Sequence, residues 1–374
     1  MTISERFTMS HFEPIPTHGV TKYGPNGLFS ESSFNDLYVT SEYKKILETA
    51  ANYSLSKKTW SSYKTAENML IKCQDETGSN MELPLDQRDV LLFIAWSIKR
   101  GIQSRTISSY LSGIRMLHLK QGLNVPILRS DLVKQILEGR VHMDTVQKRQ
   151  GNKPTRLPVT PTVLKLLKLE LKSSTLSKEN KRLLWAVITI AFAGGFRIHE
   201  LLSTMEAKFD PLYTLLGEDI KIKPITHRGE KIETLQIKLK SQKTDRIGVD
   251  CIVDVYESNG AFCPVKAFNK WKRTTNQLQN LKPAFREDNG KPLTGKNFNK
   301  HLKQLLSNHI DYSMGNITSH SFRAGIATLM GELGYSDDEI KALGRWSSRA
   351  FETYLKLPRT KRLEMARAIG NLDI

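Results

Sequence analysis

Cysteine is scarce in this sequence. Cys73, Cys251 and Cys263 are scattered over 374 residues and form no CxxC pair. Such spacing offers neither a zinc site nor a disulfide framework, and it fits a reducing compartment. Long apolar runs are missing too: none approaches membrane-spanning length, and the N-terminus lacks the apolar core of a signal peptide. There is no GxxxxGK[ST] phosphate loop, so nucleotide hydrolysis has no support. Without HExxH or an aspartate cluster, two-metal nuclease chemistry has no ligands. No repeat or low-complexity tract appears. Any phosphoryl chemistry would therefore run on side-chain cations, with no metal and no cofactor.

Positive charge is what the sequence has in excess: 56 Lys+Arg against 38 Asp+Glu, a formal net charge of +18. A surplus of that size concentrates polyanions, and nucleic acid is the natural partner. The first 150 residues hold 19 Lys+Arg and 15 Asp+Glu, so +14 of the +18 lies in 151–374. Phosphate contact is expected mainly there.

Residues 1–40 mix Pro14, Pro16, Gly19, Pro25 and Gly27 with few periodic apolar positions and read as a flexible segment. From 41 the pattern turns helical. Trp60, Tyr63, Ala66 and Met69/Leu70 recur at helical spacing, and Asp86 caps a segment through Leu91, Leu92, Ile94 and Ala95. Ser104 opens a helix with Ile107, Tyr110, Leu111, Ile114 and Leu117 on one face and Arg105, Ser108, Ser109 and Arg115 on the other. A fourth helix starts near Ser130, and regular structure ends near 140. This predicts an all-helical domain over 41–147. KRQGNKPTRLP, residues 148–158, is then a basic linker carrying Lys148, Arg149, Lys153 and Arg156. It reads equally as a solvated loop or as a segment lying along DNA backbone.

The segment 159–374 reads as a mainly helical domain with a small antiparallel sheet. Helices are expected at 161–173, capped by Thr160, and at 179–193. Leu235, Ile237 and Leu239, then Ile247, Val249, Cys251 and Val253, alternate with polar residues. SQKTDR between them forms a hairpin turn. Helices resume at 263–274, 295–308, 320–333, 337–344 and 348–355, with a capping box from Ser336 to Glu339.

Several residues could do chemistry. Arg197 follows Gly194-Gly195-Phe196 at the end of an apolar helix, where it can be aimed into a cleft, and Glu200 three positions on can hold its guanidinium. A plain surface Arg–Glu pair has the same spacing. Lys243 sits at the hairpin turn, where a mobile ammonium can reach a substrate. Lys238 and Lys240 are close enough that counting does not separate the three. His320 and Arg323 form HxxR at a helix start in TSHSFRAG, with Ser319 as a cap and the helix N-terminus favouring a bound phosphate. A capped helix with a core histidine would look alike. Tyr354 lies in LGRWSSRAFETYLK, eight positions after Trp346. A phenol with a free pKa near ~10 is a poor nucleophile unless cations stabilise the phenolate.

The ordered set is more specific than its members. Arg-x-x-Glu-Leu, a hairpin lysine, HSFR and LGRW followed by tyrosine resemble the catalytic signature of the tyrosine recombinase (phage-integrase-like) family, and the helical domain resembles that family's core-binding domain. The resemblance covers roughly residues 41–370 and is strongest over 190–356. It implies Arg197 and Arg323 as the catalytic arginines, Lys243 as the lysine, His320 as the HxxR histidine, Trp346 at the histidine/tryptophan position and Tyr354 as the nucleophile. It further implies double-stranded DNA as substrate, a 3′-phosphotyrosine intermediate and a tetramer on paired sites. There are two departures. Many members place the tyrosine nine residues after the histidine/tryptophan position, and many have glycine-leucine where Gly195-Phe196 stands. GRWSS with the eight-residue gap is similar to recombinases of eukaryotic mobile elements, the Crypton and DIRS-like groups. That origin implies a nuclear protein; a bacterial one implies the cytoplasm. Two alternatives stay open: a type IB topoisomerase that relaxes supercoils without pairing sites, and a domesticated DNA-binding protein without catalysis.

Overall fold

The computed structural model describes residues 40–54, 57–150, 157–206, 209–240, 251–274, 278–309, 317–346 and 351–352. The chain divides into two compact units, Met1–Lys153 and Pro154–Ile374.

The first unit is helical: α1 (Ser41–Tyr53), α2 (Lys57–Thr77), α3 (Gln87–Lys99), α4 (Ser104–Lys120), a 3-10 turn at Pro126–Arg129 and α5 (Asp131–Gln150). Asp86 starts α3 with a reciprocal box: its Oδ1 accepts from the Asp89 N–H at 2.8 Å, and Asp89 Oδ2 accepts from the Asp86 N–H at 3.4 Å. The apolar stripe of α4 supplies Ile107, Leu111 and Ile114 to a core shared with Leu70, Phe93 and Ile94. Gly113 lets α4 press against α2, because a Cβ there would fall 2.5 Å from that of Ala66. Two polar groups close this interior. His118 is fully buried; its Nε2 accepts from the Leu85 N–H (3.0 Å), which leaves its Nδ1–H to donate to Ile114 O (2.8 Å). Asp144 accepts from the Ser104 N–H (2.8 Å) and pairs with Arg140 (3.0 Å), so α5 caps α4. That i,i+4 pair carries α5 past Gly139 to Gln150, well beyond the expected stop near 140 and into the stretch read as linker.

The second unit contains α6 (Pro161–Ser173), α7 (Lys178–Ala193), α8 (Ile198–Leu201), β1 (Ile220–His227), β2 (Glu230–Leu239), β3 (Cys251–Tyr256), α9 (Pro264–Lys272), α10 (Gly295–Leu305), α11 (Ser319–Glu332) and α12 (Asp337–Gly344). The expected mainly helical class with a small antiparallel sheet is what the chain adopts. Strand order is β1-β2-β3, with Ile220 opposite Ile237 and Leu239 opposite Cys251. Leu235, Ile237 and Leu239 bury their shared face as the alternation predicts. Strand β1 was not anticipated. Pro224 interrupts its Ile-Lys alternation, which an edge strand tolerates because an outward-facing position needs no ladder donor. It joins β2 through Arg228 and Gly229, both at positive φ (51° and 83°), as a two-residue primed hairpin requires. The predicted SQKTDR turn, with Ile247 and Val249, lies outside the described residues, as does the helix expected at 348–355 apart from 351–352.

Candidate active site

From Leu183 on, helix α7 is apolar almost all round, and Leu183, Leu184 and the whole run from Ala186 to Phe192 are buried. Such a helix belongs inside a core. Its exit fixes the site. The Phe196 N–H bonds back to Ala191 O and the Gly195 N–H to Phe192 O, a Schellman motif with Gly195 at φ +56°. The turn buries Phe196 completely and delivers Arg197 to the start of α8.

Glu200 grips Arg197 at both ends. One oxygen accepts from Nη1 and the other from the backbone N–H, each at 2.9 Å. The glutamate side chain is 0% exposed and the arginine side chain 15%. This is a buried ion pair with its guanidinium edge near solvent, so the surface-pair reading is excluded.

Helix α12 ends in the same way. The Trp346 N–H bonds to Lys341 O and the Arg345 N–H to Ala342 O, with Arg345 in the left-handed slot at φ +53°. The aromatic residue after each turn folds back over a glycine. A Cβ on Gly194 would lie 2.1 Å from the Phe196 ring, and one on Gly344 would lie 1.6 Å from the Trp346 ring. The two helix ends meet. Arg345 donates from Nη1 to Gly194 O (3.0 Å) and from Nη2 to Glu200 (3.2 Å), and its guanidinium lies 4.8 Å from the Phe196 ring centre. Arg323, on α11, donates to the next carbonyl, Gly195 O, and lies 4.2 Å from the Trp346 ring centre. Helix C-terminal carbonyls carry partial negative charge, so they are suitable anchors for cations.

Arg197, Glu200, Arg323 and Trp346 therefore come together at the ends of α7 and α12. His320 is exposed at the start of α11 while Arg323 is buried, so they straddle the solvent boundary and the core-histidine reading is excluded. The residue preceding α11 is Thr318, not Ser319; Ser321 Oγ accepts the Thr318 N–H at 3.0 Å, and the Ser319 N–H goes to Asn299 Oδ1 at 2.8 Å. The intended cap is thus already inside the helix. Lys243 and Tyr354 lie outside the described residues. Of the nearby lysines, Lys240 is tied to Asp219 (2.9 Å) and Pro211 O (3.3 Å), whereas Lys238 is exposed on β2. In the helical unit Arg105 is exposed and Arg115 half-buried. Lys148 and Arg149 fall in the last turn of α5, their side chains outside the described residues along with Lys153 and Arg156. Among the described residues no group of His, Cys, Asp or Glu could hold a metal ion, and no helix is long and apolar enough to cross a membrane.

Sequence reasoning missed Arg345. Its signal was present: it stands nine residues before Tyr354, the spacing common in the resembled family, with Trp346 directly after it.

This fold is that of the tyrosine recombinases. Two solved structures illustrate it. The Tn1549 transposon integrase, in complex with transposon right end DNA, superimposes with a TM-score of 0.55 at 14% identity, covering 87% of this chain and 98% of that one. The XerH site-specific recombinase, bound to a palindromic difH substrate in a post-cleavage complex, gives 0.54 at 14% identity, covering 90% and 86%. No protein-family model matches the sequence, and no curated protein matches it.

Proposed function

We propose that this protein is a site-specific DNA recombinase that cuts and rejoins strands through Tyr354. The observation that carries the reading is the gathering of Arg197 and Arg323 at the C-terminal end of α7, where Glu200 holds the Arg197 guanidinium and Arg323 donates to Gly195 O and packs on Trp346. Guanidiniums fixed in this way suit a phosphodiester, whose non-bridging oxygens accept bidentate hydrogen bonds and gain charge in the pentavalent transition state. Tyr354 Oη attacks the scissile phosphorus, and its proton passes to His320 or to solvent. The bond to the 5′-oxygen breaks, and Lys243 supplies the proton that makes the 5′-hydroxyl. His320, at the exposed helix start, hydrogen-bonds the phosphate or assists proton transfer. Trp346 packs against Arg323 rather than donating a proton. One ester is exchanged for another, so the step needs neither ATP nor a metal.

Strand exchange between two duplexes needs four cuts. We take the assembly to be a monomer in solution and a tetramer on paired sites, with the segment 360–374, whose Leu363, Ala366 and Ile369 recur at helical spacing, docking either on its own domain or, as the joining element, on a neighbour. Deleting 360–374 is expected to spare half-site binding and abolish the tetramer; an intact tetramer by mass measurement on paired sites would remove that role. GRWSS and the gap to Tyr354 support an origin in a eukaryotic mobile element of the Crypton or DIRS-like kind, acting in the nucleus.

The deciding experiment uses a nicked suicide duplex made from the DNA that flanks the coding sequence. Wild type is expected to give a covalent adduct on a denaturing gel. Tyr354→Phe is expected to give none while binding DNA normally, because binding rests on distributed phosphate contacts. An adduct in the Phe variant would refute the assignment. Plasmid relaxation without strand exchange would favour the topoisomerase reading.

A further inference from the structure

Away from the arginine cluster, at the opposite end of α7, the second unit holds a concavity of about 340 Å³. Lys178, Lys181, Arg182 and Trp185 follow the i, i+3, i+4, i+7 rhythm and so share one face of α7. Helix α6 adds Lys168 and Lys172, one turn apart, and α9 adds Lys270. No carboxylate is among the residues that line it.

A solvated helix face does not ordinarily look like this. Like charges at i,i+4 destabilise a helix, and an interleaved glutamate would reverse the sign. The same chain does interleave elsewhere, pairing Lys64 with Glu67 and Lys134 with Asp131 in the helical unit. Here two of the ammoniums rest on neutral groups. Lys168 donates to Ala261 O (3.1 Å) and sits 5.4 Å from the Trp185 ring centre, and Lys181 donates to Lys172 O (3.1 Å). Each is held in place without being neutralised. The N-terminus of α7, capped by Ser177, adds partial positive charge in the same direction.

We infer that this concavity is a second phosphate-binding surface, which takes the backbone of DNA lying beyond the duplex held at the catalytic arginines. The separation supports two contacts rather than one. Helix α7 has 16 residues, so its ends are ~24 Å apart. Charge complementarity selects the occupant: six cations with no carboxylate among them fit a run of phosphates, and an open concavity suits a strand passing over it. Trp185, half-buried against Phe262 with ring centres 6.0 Å apart, is a built-in optical reporter.

The inference rests on the DNA reading above, so its test is separable from catalysis. The full chain carrying Lys172→Gln, Lys181→Gln and Arg182→Gln is titrated with a core-length duplex and with one extended on both sides, over a range of salt. On the extended duplex the log–log slope is expected to become less negative by about 0.9 per lost phosphate contact, hence by roughly 2–3. On the core-length duplex both slope and covalent trapping should match wild type. Extended DNA should also change the tryptophan fluorescence of wild type beyond the change that core-length DNA gives, and that extra change should be lost in Trp185→Phe. Equal slopes for variant and wild type on extended DNA would overturn the proposal. So would inorganic tripolyphosphate that changes Trp185 emission and is not displaced by DNA, since the site would then serve a free polyphosphate. If wild type forms no adduct while the slope difference persists, recombination fails and this surface stands.

Discussion

The helical unit's interior and the second unit's arginine cluster bury charge in opposite ways. In the helical unit Arg140 meets Asp144 one to one, the leftover carboxylate oxygen takes a backbone N–H, and His118 is held neutral between two backbone groups. Among the described residues of that unit, the buried charges Arg140 and Asp144 partner each other. At the cluster one buried carboxylate, Glu200, serves both Arg197 and Arg345, and Arg323 stands one carbonyl away. A buried pair that balances is part of an interior. In the proposed reading, a cluster with more guanidiniums than carboxylates, one of them edged toward solvent, receives the phosphate. The contrast separates polar groups that complete a fold from polar groups that await a ligand.

The largest expected effect tests that separation directly. Arg197→Ala and Arg323→Lys are each expected to lower cleavage on the order of 10²-fold or more, as loss of a transition-state clamp does. Lysine is the better probe at 323 because the buried guanidinium also packs on Trp346, and truncation to alanine would confound folding with chemistry. Normal single-turnover cleavage in either variant would dissolve the contrast.

Glu200→Gln and Asp144→Asn sharpen it. Each removes the carboxylate of a buried pair and is expected to cost about 3–5 kcal/mol in denaturant unfolding. Only Glu200→Gln should also slow cleavage measured under conditions where the protein is folded. If Asp144→Asn slowed it equally, the helical unit's pair would belong to the chemistry as well.

The smallest effect concerns pH. Burial pushes the His118 pKa below its ordinary 6.5, against the raising influence of the hydrogen bond to Ile114. The unfolded chain therefore takes a proton that the folded unit refuses. Stability should fall as pH drops below about 6.5, with the loss continuing down to the depressed folded value. Thermal melts of wild type and His118→Gln across that range read the effect; a wild-type melting temperature that rises on acidification would contradict it.

The sequence by itself determined the local elements. Asp86, Thr160, Ser177 and Ser336 accept their helices' free N–H groups, and the Leu235-Ile237-Leu239 alternation buries one sheet face. It also set the Arg197–Glu200 pair, since residues three apart meet on any helical turn. Contacts confined to a few residues are legible because backbone geometry alone brings them about. Strand β1 escaped because Pro224 masks its period and only its pairing with β2 makes it a strand. Tertiary structure decided the rest of the cluster. Arg345 reaches Glu200 across 145 positions, and Arg323 reaches Gly195 O across 128. Those distances close only when the termini of α7 and α12 pack together beside α11. The left-handed turn at Arg345, where glycine would be the easy choice, exists to aim a side chain whose partner lies on another helix.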